Sequence, residues 1–190
     1  MPVLLLLLAA HGLAWSGFDE GHVAAQKGDY KTGLREWRPL AEQGHANVQF
    51  NLGLMYEKGR GVSQDFKEAV KWYRKAAEQD DADAQYRLGL INVKGQDVPQ
   101  DYKEAMKWFR KAAEQGMAFA QFDLGIMYHA GYGIPRDYKE AVKWYRKAAI
   151  EGHVKAQFNL GNMYDDGHGV THDPKEAMKW YSKAAEQGDT

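Results

Sequence analysis

The chain of 190 residues contains no cysteine, and its formal net charge is only −1. Without cysteine there is no disulfide, no thiol catalysis and no cysteine-based zinc site. The near-neutral charge argues against a general attraction to nucleic acid or to anionic membranes. The apolar run over residues 3–10 is far shorter than the about 20 residues that a membrane-spanning helix needs. These absences indicate a fold that is held together by side-chain packing alone.

The dominant feature of the sequence is an internal repeat of 36 residues. A fixed period of this length is typical of an array of stacked structural units, each of which packs on its neighbours. The period is carried by two residue types, which recur as Leu52, Leu88, Leu124 and Leu160, and as Trp72, Trp108, Trp144 and Trp180.

Each repeat has the pattern of two helices joined by a loop, as residues 118–153 illustrate. Apolar residues recur at helical spacing in the first segment, which we call helix A, and again in the second, helix B. Asp137 is expected to cap helix B, with Glu140 reaching back to complete a capping box. Gly125 and the pair Ala148 and Ala149 are expected to let helices approach closely, which leaves room for the rings of Trp144 and Tyr145.

The repeats follow one another without a linker or a low-complexity segment. Residues 17–45 resemble a degenerate N-terminal capping repeat, and four full repeats follow at 46–81, 82–117, 118–153 and 154–190. Residues 1–16 have the short apolar core and the small residues of a secretory signal peptide, with cleavage after Ser16 or after Ala14. We therefore expect an exported protein, periplasmic or secreted.

The segments AQFDLGIMY, GYGI and DYKEAVKWYRKAAIEG, with near-copies in the other repeats, resemble the Sel-one-like repeat (SLR) family, a relative of the tetratricopeptide repeats. This resemblance covers residues 46–188 strongly. It implies an all-α, right-handed α-solenoid of antiparallel helix pairs whose helices A line the concave side, and a noncatalytic adaptor for other proteins. The second repeat departs from the pattern, because Asn92 replaces the usual tyrosine and Asp97 replaces the second loop glycine.

The expected partner is a protein or peptide segment that lies along the helices A. Positions of helix A that packing does not require are spaced so that they share one face, and their residue types vary between repeats. Their mixture of amide, charged and apolar groups suits a peptide. The predicted contact residues are Asn47, Asn51, Leu54, Asp83, Arg87, Leu90, Phe119, Asp123, Ile126, Lys155, Asn159 and Asn162.

Two alternatives to an adaptor remain open from the sequence. The loop of the last repeat places a cluster of nitrogen and oxygen donors within a few residues, which would suit a metal-binding protein or a hydrolase. The other alternative is a repeat element that assembles with itself. The G-x-G loops follow helices and do not complete a G-x-G-x-x-G fingerprint, so no nucleotide, cofactor or catalytic residue is predicted. The loop donors are Asp165, Asp166, His168, His172 and Asp173.

The last helix B keeps the apolar residues of the interior copies, which predicts an uncovered face. We expect this face to meet a second copy in a twofold homodimer or a helix of the partner. The competing interpretation is that the two large rings pack inward on the helix A of their own repeat. The residues of this face are Ala177, Met178, Trp180, Tyr181, Ala184 and Ala185.

Overall fold

A computed structural model describes residues 17–95 and 97–188, so the predicted signal peptide lies outside the described residues. The described residues are helices joined by short loops, with no strand among them. None of these helices is long and apolar enough to cross a membrane. The helices are α1 (17–26), α2 (Tyr30–Glu42), α3 (Ala46–Lys58), α4 (Phe66–Ala77), α5 (Ala82–Lys94), α6 (Tyr102–Glu114), α7 (Ala118–Ala130), α8 (Tyr138–Ile150), α9 (Val154–Asp166) and α10 (Pro174–Glu186).

The described residues form two compact units, 17–88 with 97–98 and 89–95 with 99–188. In the first unit, α3 packs against α2 and against α4. In the second unit, α7 packs against α6 and α8, and α9 packs against α8 and α10. Each of these helices A therefore lies between the helix B of its own repeat and the helix B of the repeat before it.

The predicted aspartate caps of helix B are confirmed, but the second arm of the capping box is wrong. Asp137 accepts hydrogen bonds from the backbone amides of Lys139 and Glu140 at 2.9 and 3.1 Å. Its own backbone N–H, which the Glu140 side chain was expected to reach, instead donates to the carbonyl of Tyr128 at 2.9 Å. Glu140 pairs with Lys143 at 3.1 Å. Because the loop folds back onto helix A, the N–H of Asp137 is already bonded to helix A and cannot donate to Glu140.

The glycine in the middle of helix A provides the space for an aromatic ring of helix B, as expected. A Cβ atom built on Gly125 would lie 2.5 Å from Cδ1 of Tyr145, and the Gly53–Tyr73 pair repeats this geometry. The first helix pair has a similar contact between a glycine and an aromatic ring, which the repeat pattern did not predict. There Trp37 packs over Gly21, with its Nε1 atom 2.4 Å from a built Cβ.

The loops between helices A and B contain glycines in the left-handed region. Gly131 and Gly133 have φ angles of 78° and 74°. Asp97, which replaces the second loop glycine in its repeat, adopts the same left-handed conformation with φ 53°. The turn thus keeps its backbone conformation although this conformation is sterically less favourable for aspartate than for glycine.

A buried glutamine in the helix A of each full repeat was missed by the sequence reasoning. In each case the side-chain amide donates to a carbonyl in the last turn of the preceding helix B, for example from Gln49 to Ala41 at 2.9 Å and from Gln157 to Ala149 at 3.0 Å. These carbonyls also accept a backbone N–H from the turn that follows helix B, as Ala41 does from Gly44 at 3.1 Å and Ala149 from Gly152 at 3.2 Å. Each glutamine therefore donates to the second lone pair of a carbonyl and links helix A to the preceding helix B.

The predicted uncovered face of α10 is smaller than the sequence indicated. Trp180 is only 8% exposed and joins the core of the last two repeats, and the nearby alanines Ala177 and Ala184 are also buried. Met178, in contrast, is 62% exposed, whereas Val142 at the same place in the preceding repeat is 4% exposed. The interpretation that the tryptophan packs inward is therefore correct, and Met178 is the large apolar residue left on the surface.

Candidate functional site

All twelve predicted contact residues lie at exposed or half-buried positions of the helices A. Asn47, Asp83, Phe119 and Lys155 are exposed, and the other eight are half-buried. Phe119 is 61% exposed, although its position is polar or charged in the other repeats. Several of the half-buried residues already have partners within the chain, which changes what they can offer to a ligand.

In the first unit, Arg87 belongs to a polar cluster around the buried carboxylate of Glu57. Tyr73 donates its hydroxyl to Glu57 at 2.6 Å, while Lys58 and Arg87 approach the other oxygen at 3.0 and 3.4 Å. Burial alone would raise the pKa of Glu57, but the hydrogen bonds from Tyr73 and Lys58 outweigh it and the pKa is lowered. Arg87 therefore balances a charge inside the protein, which limits its role as an anchor for a partner.

The repeats vary this cluster in a chemically consistent way. In the second repeat Val93 stands at the position of Glu57, and the ring at the position of Tyr73 is Phe109, which has no hydroxyl. In the third repeat the hydroxyl returns as Tyr145, which lies 3.5 Å from Nδ1 of His129. A hydroxyl is thus present where a polar partner is available and is missing where the neighbour is apolar.

Two of the predicted residues line a cleft of about 530 Å³ in the second unit. Its aromatic side is formed by Phe119, Phe122 and His153. The rings of Phe122 and His153 are stacked with their centroids 4.4 Å apart, and Phe119 meets His153 edge-on at 5.1 Å. Lys155 lines the cleft beside these rings, and residues that follow α10 complete the wall, namely Gln187 and Gly188.

His153 is the N-cap residue of α9, which fixes the hydrogen bonding of its ring. Its Nδ1 atom accepts a hydrogen bond from the backbone amide of Ala156 at 3.2 Å, so the proton of the neutral ring sits on Nε2. Burial, followed by the charge of Lys155, lowers the pKa of His153 below its usual value. The cleft therefore presents a neutral aromatic ring at neutral pH.

The same junction contains a buried acceptor without a partner in the described structure. In the first and last repeats a glutamine after helix B donates to the buried glutamine of helix A, as from Gln187 to Gln157 at 2.9 Å. In the third repeat this position is Glu151, whose carboxylate cannot donate when ionised. Oε1 of Gln121 is buried and has no hydrogen-bond partner. The third repeat thus departs from the others both at Phe119 and at Glu151.

The structure does not gather the five donors of the last loop into a metal site. His172 bonds to the carbonyl of Asp165 at 2.6 Å, Asp173 caps α10, and the His168 ring stacks on Tyr138 at 4.6 Å. Within residues 17–95 and 97–188, no group of three or more acidic or histidine side chains is placed to hold a metal ion. These side chains shape the loop and the start of the helix.

Together, the helix pairs and their period define an α-helical repeat protein. The Sel1 repeat profile matches residues 46–81, 82–117, 118–153 and 154–189, and the chain therefore belongs to the Sel1 repeat family. The resemblance inferred from the sequence is confirmed. Sel1 repeat proteins are generally scaffolds for protein interactions, and the family is generally non-enzymatic. No curated protein sequence matches this chain.

Solved structures share this fold. One is c5321 of uropathogenic Escherichia coli, a protective antigen with an SLR fold, at 36% identity and TM-score 0.90 over 95% of this chain. The present chain spans only 40% of that protein. A Sel1 repeat protein from Oxalobacter formigenes is 38% identical over 93% of this chain and 74% of its own length, with TM-score 0.87. Helicobacter pylori cysteine rich protein B is 26% identical over 66% of this chain and 90% of its own, with TM-score 0.53. These likenesses confirm the predicted all-α solenoid of helix pairs.

Proposed function

We propose that this chain is an exported, noncatalytic adaptor that binds a segment of a partner protein along the exposed face of its helices A. The observation that carries the proposal is Phe119, a large apolar side chain that is 61% exposed on a helix whose other large apolar residues pack inward or are half-buried. Such a side chain at a position that is polar in the other repeats is typical of a contact residue.

The chemistry of the face supports a peptide rather than a reacting substrate. Asn159 and Asn162 are half-buried in the second unit, and Oδ1 of Asn162 accepts from the hydroxyl of Tyr181 at 2.7 Å, so this side chain offers its NH₂ donors. Amides can pair with a peptide backbone, and an apolar ring can receive a partner side chain. Export rests on the apolar segment at residues 3–10 and on the small residues that follow it.

The test is affinity capture from a periplasmic or secreted fraction, followed by mass spectrometry. We expect the wild-type chain to retain a specific protein, and the double variant Phe119→Ala with Asn159→Ala to retain much less of it. Lys139→Ala, at an exposed position of a helix B, is the matched control and should capture normally. If the double variant is folded and captures as much as the wild type, the helix A face is not the binding surface.

Exposure of Met178 favours a second candidate function, which is association through the face of α10. At the same place, where a further repeat follows, Met106 in the second repeat and Val142 in the third are 8% and 4% exposed, and Val70 in the first is half-buried. We propose that the same face of a second copy covers Met178 in a twofold dimer. This association is compatible with the adaptor function, since the helices A remain available.

A further inference from the structure

The cleft beside Phe119 indicates which side chain a partner would bring. Its volume of about 530 Å³ falls within the range of about 300 to 1,000 Å³ that is usual for ligand pockets. The ring planes of His153 and Phe122 differ by only 25°, and Phe119 stands nearly perpendicular to His153 at 82°. Three aromatic rings in two orientations thus line one side of the cleft, and an aromatic guest gains from contact with ring faces as well as with ring edges.

The charge at the cleft restricts what can accompany that side chain. Among the described residues that line it, only Lys155 carries a formal charge when His153 is neutral. Its exposed ammonium group repels a cationic neighbour and attracts an anionic one. A single cation is too little for a polyanion, which gains its affinity from several such contacts.

The other repeats show that this cleft is not a general feature of the fold. The position of Phe119 is occupied by Asn47 in the first repeat and by Asp83 in the second. The third repeat also has Ile150 and Glu151 directly before the cleft residue Gly152, where the other repeats have glutamate and glutamine. Copies of one unit in one chain share their packing demands, so these differences concentrate at a surface that packing does not explain.

We propose that this cleft binds a large apolar side chain of the partner, aromatic by preference, which has an acidic residue next to it in the partner's sequence. The proposal rests on the adaptor function and specifies the chemistry of one contact on the helix A face. The apolar group enters the cleft and packs against the side that Phe119, Phe122 and His153 form, and the acidic group pairs with Lys155.

Short synthetic peptides test this contact without knowledge of the partner. The probes are acetylated and amidated peptides with a central phenylalanine between two aspartates, two serines or two lysines, and a fourth with alanine between two aspartates. Binding is followed by amide chemical-shift changes of the full chain up to about 5 mM peptide, because a single contact gives millimolar affinity. We expect shift changes near Phe119 and His153, and about fivefold tighter binding of the aspartate peptide than of the lysine peptide.

Variants then assign the contact to its residues. Phe119→Ala should weaken the aspartate–phenylalanine peptide about tenfold, and Lys155→Glu should reverse the preference for flanking charge. The matched controls are Phe158→Ala, another exposed phenylalanine on a helix A, and Lys139→Glu, and both should bind as the wild type does. Because Phe119 and Lys155 are exposed, neither change opens the core, and the dispersion of the same spectra reports that each variant is folded.

Two results would overturn the inference. One is equal binding of the phenylalanine and alanine peptides, or no shift change at the cleft with any peptide. The other is a preference for flanking charge that Lys155→Glu leaves unchanged. A partner that is captured by the wild type and by Phe119→Ala, but lost on substitution of Asn159 or Asn162, would reject the cleft and keep the adaptor function. If no protein is captured at all, the adaptor function fails, whatever the peptides show.

Discussion

Two glycines with the same backbone conformation should respond very differently to alanine. Gly152 and Gly169 have φ angles of 84° and 72°, so alanine at either position pays a left-handed cost of about 1 to 2 kcal/mol. A Cβ on Gly152 would meet nothing within 4 Å. A Cβ on Gly169 would lie 2.4 Å from the backbone carbonyl carbon and oxygen of Tyr138, and backbone at the start of a helix cannot move aside cheaply.

We therefore expect Gly152→Ala to lower the free energy of unfolding by about 1 kcal/mol. Gly169→Ala should lower it by about 3 kcal/mol, because the clash adds a penalty of the size seen for overpacked cores. Urea unfolding followed by circular dichroism measures both, with the midpoint compared at equal slope. If the two variants lose the same stability, the close approach of this loop to α8 does not hold the last two repeats together.

Four further predictions concern the core, the cleft and the face of α10. Glu151→Gln should raise the free energy of unfolding by about 1 kcal/mol, because the new amide can donate to buried Oε1 of Gln121; urea unfolding with no gain would contradict this. Trp144→Ala should lower the free energy of unfolding by about 3 to 5 kcal/mol and broaden the urea unfolding transition. A sharp transition with an unchanged dependence on urea would count against a repeat array. The pKa of His153 lies below its usual 6.5, so below pH 6.5 the folded chain binds fewer protons than the unfolded chain. The contribution of neutral His153 to stability is therefore complete above pH 6.5 and is lost as the pH falls towards the pKa of the folded state. His153→Asn keeps a capping acceptor and should reduce this loss between neutral and acidic pH in thermal unfolding; an unchanged pH profile would argue against it. Met178→Lys should shift sedimentation at high concentration from dimer to monomer, and a wild-type chain that is monomeric at every concentration rules out the dimer.

Most of the fold was predictable because its determinants repeat within short stretches of sequence. The Asp137 cap involves only the residues that follow it, and Gly125 recurs in four repeats at a fixed spacing from an aromatic ring at the position of Tyr145. The predicted bond from the Asp137 N–H to the Glu140 side chain was wrong for a reason that the neighbouring residues do not show. The amide that it would satisfy is occupied by the carbonyl of Tyr128, which depends on the path of the loop.

The candidate site was less predictable than the fold. The sequence indicated Phe119 and Lys155 as exposed variable residues, and it gave no role to His153. The cleft joins three segments that are separated in sequence, around 119–122, 152–155 and 187–188, so only the stacking of the repeats brings them together. One signal was available, since Phe119 and Glu151 both break the pattern of the other repeats.

The most direct test of the adaptor function is site-specific photo-crosslinking in the compartment where the protein resides. A photoreactive amino acid is placed at Phe119 or Asn159 on helices A, and at Lys139 or Lys175 on helices B as matched exposed controls. The account predicts a discrete crosslinked protein from the helix A positions and none from the controls. Crosslinks to a protein from the helix B positions alone, or from no position, would contradict it.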